Sequence, residues 1–263
     1  MNRRLICLLC LLPALAFGQK NKGSPPPAPE PVVEDTTPRD PRKLAGLSLL
    51  GDSVQLISLS PARGDTVQSG EWTATPPGGL DTAALQALDA AVKASGQGRE
   101  IKLYTSTTRS LFGDPANLFV NGRLSLPGQL GEAVRQSGAA YLLLVTRSRQ
   151  EPALAAALPA RILTSLEGPG FVLDQRPSGQ IGFDGQGGLP VFAPYVSIRV
   201  ALIDLKDLKL KREQSLAVAS RLPVAAATAT NPWAATSPEQ RFQALEALIQ
   251  AELPKAVVGL LVP

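Results

Sequence analysis

Ser137-Gly138-Ala139-Ala140-Tyr141-Leu142-Leu143-Leu144-Val145-Thr146 is the stretch on which the fold turns. A glycine stop is followed at once by an apolar run, and Tyr141 to Val145 shows no polar alternation. A strand wetted on one face alternates, so a strand without alternation belongs in the middle of a sheet covered on both sides. Upstream, Gly128 to Ser137 repeats a helical pattern through Leu130 and Val134, and Ile101 to Thr107 is a β run. Further upstream, Asp81 is placed to cap a helix whose Leu85, Leu88 and Val92 share one stripe, with Gly96 as its stop. Leu44 to Leu59 reads as a first strand or a bent pair. The series strand, helix, strand, helix, strand predicts parallel strands joined by right-handed crossovers.

Downstream the style changes. Arg161 to Asp174, Phe192 to Asp204 and Leu208 to Arg221 are β runs with short connections. Val196, Ile198, Val200 and Leu202 alternate with Ser197, Arg199, Ala201 and Ile203, and the Asp204 to Leu208 region supplies a reversal, which predicts an antiparallel meander. Ser237-Pro238-Glu239-Gln240 combines an N-cap serine, a proline at the first helical position and a glutamine that completes a capping box. Phe242, Leu245, Leu248, Ile249 and Leu253 form the buried stripe of that last helix, and Pro254 is expected to end or kink it. The fold class that follows is mixed α/β. It is a two- or three-layer sandwich on a mixed sheet, with a parallel β-α-β-α-β first half, an antiparallel meander and a C-terminal packing helix.

The N-terminus sets the compartment. Arg3 and Arg4, the apolar Leu5 to Phe17 and the small residues of Ala16-Phe17-Gly18 make residues 1–18 a secretory signal peptide, cut before Gln19. Thirteen apolar residues at about 1.5 Å each reach roughly 20 Å, short of a bilayer core of about 30 Å, which argues against a retained anchor. Cys7 and Cys10 follow Ile6 and Leu9 instead of the small residue that a lipoprotein signal needs. Residues 19–43, with Pro25, Pro26, Pro27, Pro29, Pro31, Pro38 and Pro41 amid charge, form a proline-rich linker with too little apolar surface to offset its ordering entropy. Residues 44–263 are then one globular domain, with no transmembrane segment in the mature chain.

Composition excludes much of enzyme chemistry. The chain has no His, and its two Cys lie inside the leader, so the mature protein has neither imidazole nor thiol for nucleophilic, proton-shuttling or soft-metal work. Loss of Arg3 and Arg4 leaves 24 basic against 22 acidic residues. Lys206, Lys209, Lys211 and Arg212 alternate with Asp204, Asp207 and Glu213, so no basic stripe for nucleic acid is present. Gly51-Asp52-Ser53 looks like the nucleophile block of GDS-type esterases, but without a histidine base Ser53 reads as part of a turn or bulge. Lys102 precedes Thr105-Ser106-Thr107-Thr108 without the spacing of a Ser-Lys hydrolase, so that segment reads as ordinary strand and turn.

The glycines between Gly179 and Gly188 lack the Lys-Ser/Thr of a phosphate loop and read as a strand connection, and Asp184 alone cannot make a calcium site. Carboxylate pairs remain the catalytic device that this composition allows. The candidates are Asp52, Asp65, Glu71, Asp114, Glu132, Glu151, Glu167 and Asp174, with no motif to select a pair. Trp72 and Trp233, in Pro/Gly/Thr-rich segments, read as core plugs or exposed contacts, and Trp72, Trp233 and Tyr195 are the candidate contact surface. No cofactor or metal site is expected.

The Ser137 to Val145 phrase and the Val196 to Asp204 strand with its following hairpin partner resemble the periplasmic α/β domains of curli-secretion-channel and penicillin-binding-protein-activator lipoproteins. The chain is also similar to exported proteins of unassigned function from Gram-negative bacteria. The resemblance spans residues 44 to 255 and implies a periplasmic α/β domain. It departs at the lipidated Cys and at a barrel-forming insertion, neither of which the sequence supplies. The expected function is that of a non-enzymatic periplasmic or secreted binding or accessory protein of the bacterial envelope, whose partner is an envelope protein or polymer. A carboxylate-based hydrolase of an envelope polymer and a structural module that pairs through the meander edge are the alternatives.

Overall fold

The computed structural model describes residues 38–62, 65–149, 166–175, 191–222 and 231–262. The expected signal peptide, most of the linker, the Gly179 to Gly188 connection with Asp184, and Glu151 lie outside the described residues. The elements are β1 (Asp40–Leu49), β2 (Ser53–Ala62), β3 (Asp65–Ala74), α1 (Gly79–Ala94), β4 (Glu100–Tyr104), β5 (Phe119–Val120), β6 (Arg123–Leu124), α2 (Gly128–Arg135), β7 (Ala139–Arg147), β8 (Gly168–Asp174), β9 (Val191–Asp204), β10 (Lys209–Ala219), α3 (Pro232–Ala235) and α4 (Pro238–Leu261). Two 3-10 turns, Arg109–Phe112 and Pro115–Leu118, precede β5.

One mixed sheet holds all the strands. The parallel half is as expected: β1 lies between β4 and β7 and runs parallel to both, with Leu44 opposite Ile101 on one side and Tyr141 on the other. The meander is also present, with β8, β9 and β10 successively antiparallel. What joins the halves is the length of β9. Its residues 198 to 204 pair with β7 and its residues 191 to 197 pair with β8, along the same edge. β7 and β8 therefore lie end to end as one interrupted line. β1 and β2 repeat this beside them, since β1 pairs with β7 and β2 with β8. The bent pair expected at Leu44 to Leu59 is this broken line.

Burial follows the strand period of two. Leu143, Val145, Ile198, Val200 and Leu202 face α1 and α4, while Leu142, Leu144, Ala201 and Ile203 face the side of α2 and the 3-10 turns. A third cluster, with Ile57, Val172 and Ala193, lies along the β2, β8 and β9 end of the sheet. Tyr141 to Val145 is thus covered on both faces, as its lack of alternation predicts.

Several local expectations are corrected. β1 begins at Asp40, four residues inside the expected linker, because Asp40 N donates to Gly138 O and Arg39 Nη1 to Ala139 O. The β2–β3 hairpin is inserted between β1 and α1, where the Thr/Gly/Gln-rich β3 has too few apolar residues to register as a strand. Asp81 does not cap α1: the N-cap is Gly78, and the carboxylate is used elsewhere. Pro254 does not end α4, which continues to Leu261. Ser237 does cap it, with the capping box formed in both directions. Leu245, Ile249 and Leu253 before the proline and Val257 and Leu260 beyond it are all buried, and their packing outweighs the lost hydrogen bond.

Candidate functional site

The two broken strand lines have their breaks side by side, and chemistry collects there. Between β1 and β2 the chain turns at Leu50-Gly51-Asp52. Gly51 has φ 71°, and a Cβ there would sit 3.1 Å from the Phe112 ring, so glycine suits both the conformation and the space. Gly51-Asp52 is therefore a bend between two strands that run on in the same direction, with Ser53 the first residue of β2, which accords with the turn or bulge read from the sequence. Asp52 Oδ1 accepts from Gly78 N at 2.6 Å and ties the turn to the start of α1.

Two ionisable side chains hold this break. Asp81, 5% exposed, accepts from Ser48 Oγ at 2.6 Å, Leu50 N at 2.7 Å and Gly51 N at 3.2 Å. Burial raises its pKa above the ordinary carboxylate value, against the pull of those donors. From the other line, Arg147 at the end of β7 donates Nε to Leu50 O at 2.6 Å, and Nη2 to Ser53 O at 2.8 Å and Ser53 Oγ at 3.2 Å. Its guanidinium lies 4.9 Å from the Trp72 ring centroid. Burial lowers the Arg147 pKa, and the Glu167 and Asp81 carboxylates oppose that shift. Ser53 Oγ thus accepts from a cation.

Next to this knot of Asp81, Arg147 and the backbone they tie opens a cleft of about 720 Å³, within the usual range for ligand sites. Its floor is the sheet, through Arg199 and Ala201 of β9 and Leu210 and Glu213 of β10. One wall is the pair of 3-10 turns, with Phe112, Asp114, Pro115 and Ala116, followed by Phe119. The lip is Arg147, Ser148 and Arg149 against Glu167, where Arg149 and Glu167 form an isolated antiparallel bridge and an ion pair at 2.5 Å. Arg199 and Glu213 pair more loosely, at 3.4 Å. The cleft therefore carries three arginines and three carboxylates beside two phenylalanines, with its charges balanced.

Of the carboxylates proposed from sequence, the structure brings Asp114 and Glu167 together in this cleft. Asp114 Oδ1 is engaged by Ala116 N at 2.9 Å, where it caps the second 3-10 turn. Glu132 pairs with Arg135 on α2, Glu71 is exposed on β3, and Asp174 is buried at the end of β8. Among the described residues, no group of three or more acidic side chains could hold a metal ion.

The three expected contact residues separate. Trp72 is 49% exposed on β3 and borders the knot through Arg147. Trp233 instead packs edge-on against Phe171 and Phe192 from α3, with the Arg241 guanidinium 3.7 Å from its centroid, so it is a core plug. Tyr195 is fully buried, which removes it from any contact surface: β9 is an interior strand, and the phenol donates to Gln55 Oε1 at 2.7 Å. That burial, with Glu167 nearby, pushes its pKa up. Sequence reasoning missed Arg147, Arg149, Arg199 and Glu213. They come from three strands and a loop whose meeting depends on the end-to-end β7 and β8, a relation with no local signature.

No protein-family model matches the chain, and no curated protein matches it either. Solved structures do show likeness. A DUF330-family protein from Xanthomonas campestris is 13% identical over 86% of this chain and 89% of its own, with a TM-score of 0.33. A neuraminyllactose-binding hemagglutinin homologue from Helicobacter pylori is 6% identical over 86% and 87%, with a TM-score of 0.36. A PelC dodecamer from Paraburkholderia phytofirmans is 11% identical over 86% and 93%, with a TM-score of 0.29. None of the three is a curli-secretion-channel or penicillin-binding-protein-activator domain, and likeness at this level assigns neither ligand nor partner. Among the described residues, no helix is long and apolar enough to cross a membrane.

Proposed function

We propose that this chain is a non-enzymatic binding or accessory protein of the bacterial cell envelope, periplasmic or secreted, and that the cleft beside the strand breaks is its binding site. The observation that carries the reading is the cleft itself. Apolar Phe112, Phe119 and Leu210 are interleaved with ion pairs that leave no net charge, a surface suited to a polar envelope protein or polymer and poorly suited to nucleic acid. The reading of residues 1–18 as an export signal supports the compartment, and the absence of His from the chain supports the lack of catalysis.

Leu210 is 40% exposed in the cleft, so Leu210→Glu and Arg199→Glu alter the site without opening the core. Envelope extracts passed over the immobilised wild-type chain should retain a component that both variants release. Equal retention by all three, or background alone, overturns the proposal. A second reading, a carboxylate-based hydrolase of an envelope polymer, has one observation in its favour: Asp114 and Glu167 line one cleft. Against it stand the Arg149 ion pair on Glu167 and the capping role of Asp114. Turnover of a purified envelope polymer that is lost in Glu167→Gln would establish this second reading in place of the first.

A further inference from the structure

The meander edge is a poor docking strand. β10 meets β6 at Lys209 opposite Arg123, and its exposed half reads Lys209-Leu210-Lys211-Arg212-Glu213, a density of charge that opposes pairing. The other side of the sheet differs. Among the described residues β4 pairs with β1 alone, so one side of Glu100-Ile101-Lys102-Leu103-Tyr104 is an open edge. Leu103 is 39% exposed there, and Ile101 is only partly buried against the core. Glu100 and Lys102 flank Ile101 as exposed charges of opposite sign, and Lys102 Nζ lies 5.6 Å from the centroid of the Tyr104 ring on the same strand. Edges are commonly protected by charge, and Lys102 protects this one against any partner that presents a cation or an apolar residue opposite it.

We propose that β4 is a self-recognition edge, on which a second copy of this chain adds its own β4 antiparallel about a two-fold axis through Ile101. In that register Glu100 stands opposite Lys102 of the second copy, twice by symmetry, and Ile101 stands opposite Ile101. Leu103 meets the stem of Arg99, and the exposed leucine is covered. Moving the two-fold axis by one residue, to Lys102, slides the pairing by two and puts Lys102 against Lys102, so the charges permit one symmetric register and penalise its neighbour. This edge lies apart from the cleft lining, and the inference stands whether or not the cleft binds anything.

The test exchanges charges. Sedimentation equilibrium of the full chain is measured for wild type, Glu100→Lys, Lys102→Glu and the double exchange E100K/K102E, with far-UV circular dichroism to confirm that each folds. Wild type should dimerise at micromolar to submillimolar concentration. Each single variant places like charges opposite each other twice, and should weaken the dimer by about tenfold or more. The double exchange restores opposite pairs and should recover wild-type affinity to within about threefold. Amide exchange along β4 should also slow as wild-type concentration rises. A wild-type monomer at submillimolar concentration, dimers indifferent to the single changes, or a double exchange as weak as the singles would each overturn the proposal. Association driven by the apolar leader would show as indifference to all three changes.

Discussion

Replacing Arg147 with Met removes the polar bridge between the two strand lines and keeps an unbranched apolar stem in the same slot. The stem has a role of its own, since a Cβ on Gly168 would lie 3.0 Å from Arg147 Cγ. The guanidinium makes hydrogen bonds of 2.6 Å to Leu50 O and 2.8 Å to Ser53 O, carbonyls on opposite sides of the β1–β2 turn. Without it two acceptors lose their donor in a region where Arg147 itself is 9% exposed, at about 1 to 3 kcal/mol each. Contact with the half-exposed Trp72 adds about 0.5 to 1 kcal/mol. Release of the buried charge returns part of this, so the net loss should be about 2 to 4 kcal/mol. For a domain of this size, 3 kcal/mol corresponds to a fall in Tm of roughly 6 to 12 °C. Arg147→Lys should cost nearly as much, because an ammonium on a flexible stem does not reproduce the fork that spans two carbonyls. Urea unfolding monitored by far-UV circular dichroism gives the comparison, and a double-mutant cycle with Trp72→Ala should return about 0.5 to 1 kcal/mol of coupling. Should Arg147→Met unfold within about 0.5 kcal/mol of wild type, the knot does not hold the strand lines together and the reasoning fails.

Gly170→Ala should destabilise by about 2 kcal/mol or more, since its Cβ would collide with Gln55 O and lie 2.5 Å from Tyr195 Oη. Gly70→Ala on β3, with nothing within 4 Å, should be neutral or stabilise by about 0.5 kcal/mol, and equal urea midpoints for the pair would refute the crowding argument. Leu245→Ala, at a position with no exposure, should cost about 2 to 5 kcal/mol, against about 1 kcal/mol for Ser237→Ala, so that the buried stripe of α4 outweighs its cap in thermal melts. Asp81 holds its proton to higher pH in the fold than its ordinary 3.8, so just above that value the folded state binds more protons than the unfolded one. Stability from this group therefore falls as pH rises through the window between the unfolded and folded pKa, with Asp52 and Arg147 the charged neighbours that shape it. Asp81→Asn should remove that downward slope, and a variant that loses stability more steeply than wild type on raising pH from 4 would contradict the assignment.

Much of the fold was legible because it is written in periods. The uninterrupted Tyr141 to Val145 run marked a strand buried on both faces, and the even positions from Val196 to Leu202 marked one face of β9, both of which the sheet reproduces. The Ser237 box marked the start of α4 to the residue, since capping is local chemistry that four adjacent side chains contain in full. Errors arose where tertiary packing overrode a local signal. Asp81 has the sequence position of a cap and is recruited instead by Leu50 and Gly51 across the interface with β1. Pro254 should stop a helix, but the apolar residues on both sides of it are buried against β9 and β10.

The site was far less legible, and the reason is geometric. Arg199 reads as one polar position in the alternation of β9, and its place beside Arg147 follows only once β9 is known to be long enough to bridge both β7 and β8. That same length produces the cleft. Two short strands laid end to end against one long strand leave a break, the break leaves backbone carbonyls without ladder partners, and Arg147 is the donor that satisfies them. A cation buried there for structural reasons then sits on the wall of a concavity beside Arg149 and Glu167, where it also shapes the field that a ligand would meet. On the proposed reading of the cleft, stability and recognition are coupled at one side chain. Variants that probe binding should accordingly be made at Leu210 or Arg199, on the exposed floor, and a loss of binding on changing Arg147 carries weight only when the urea midpoint has been measured alongside it.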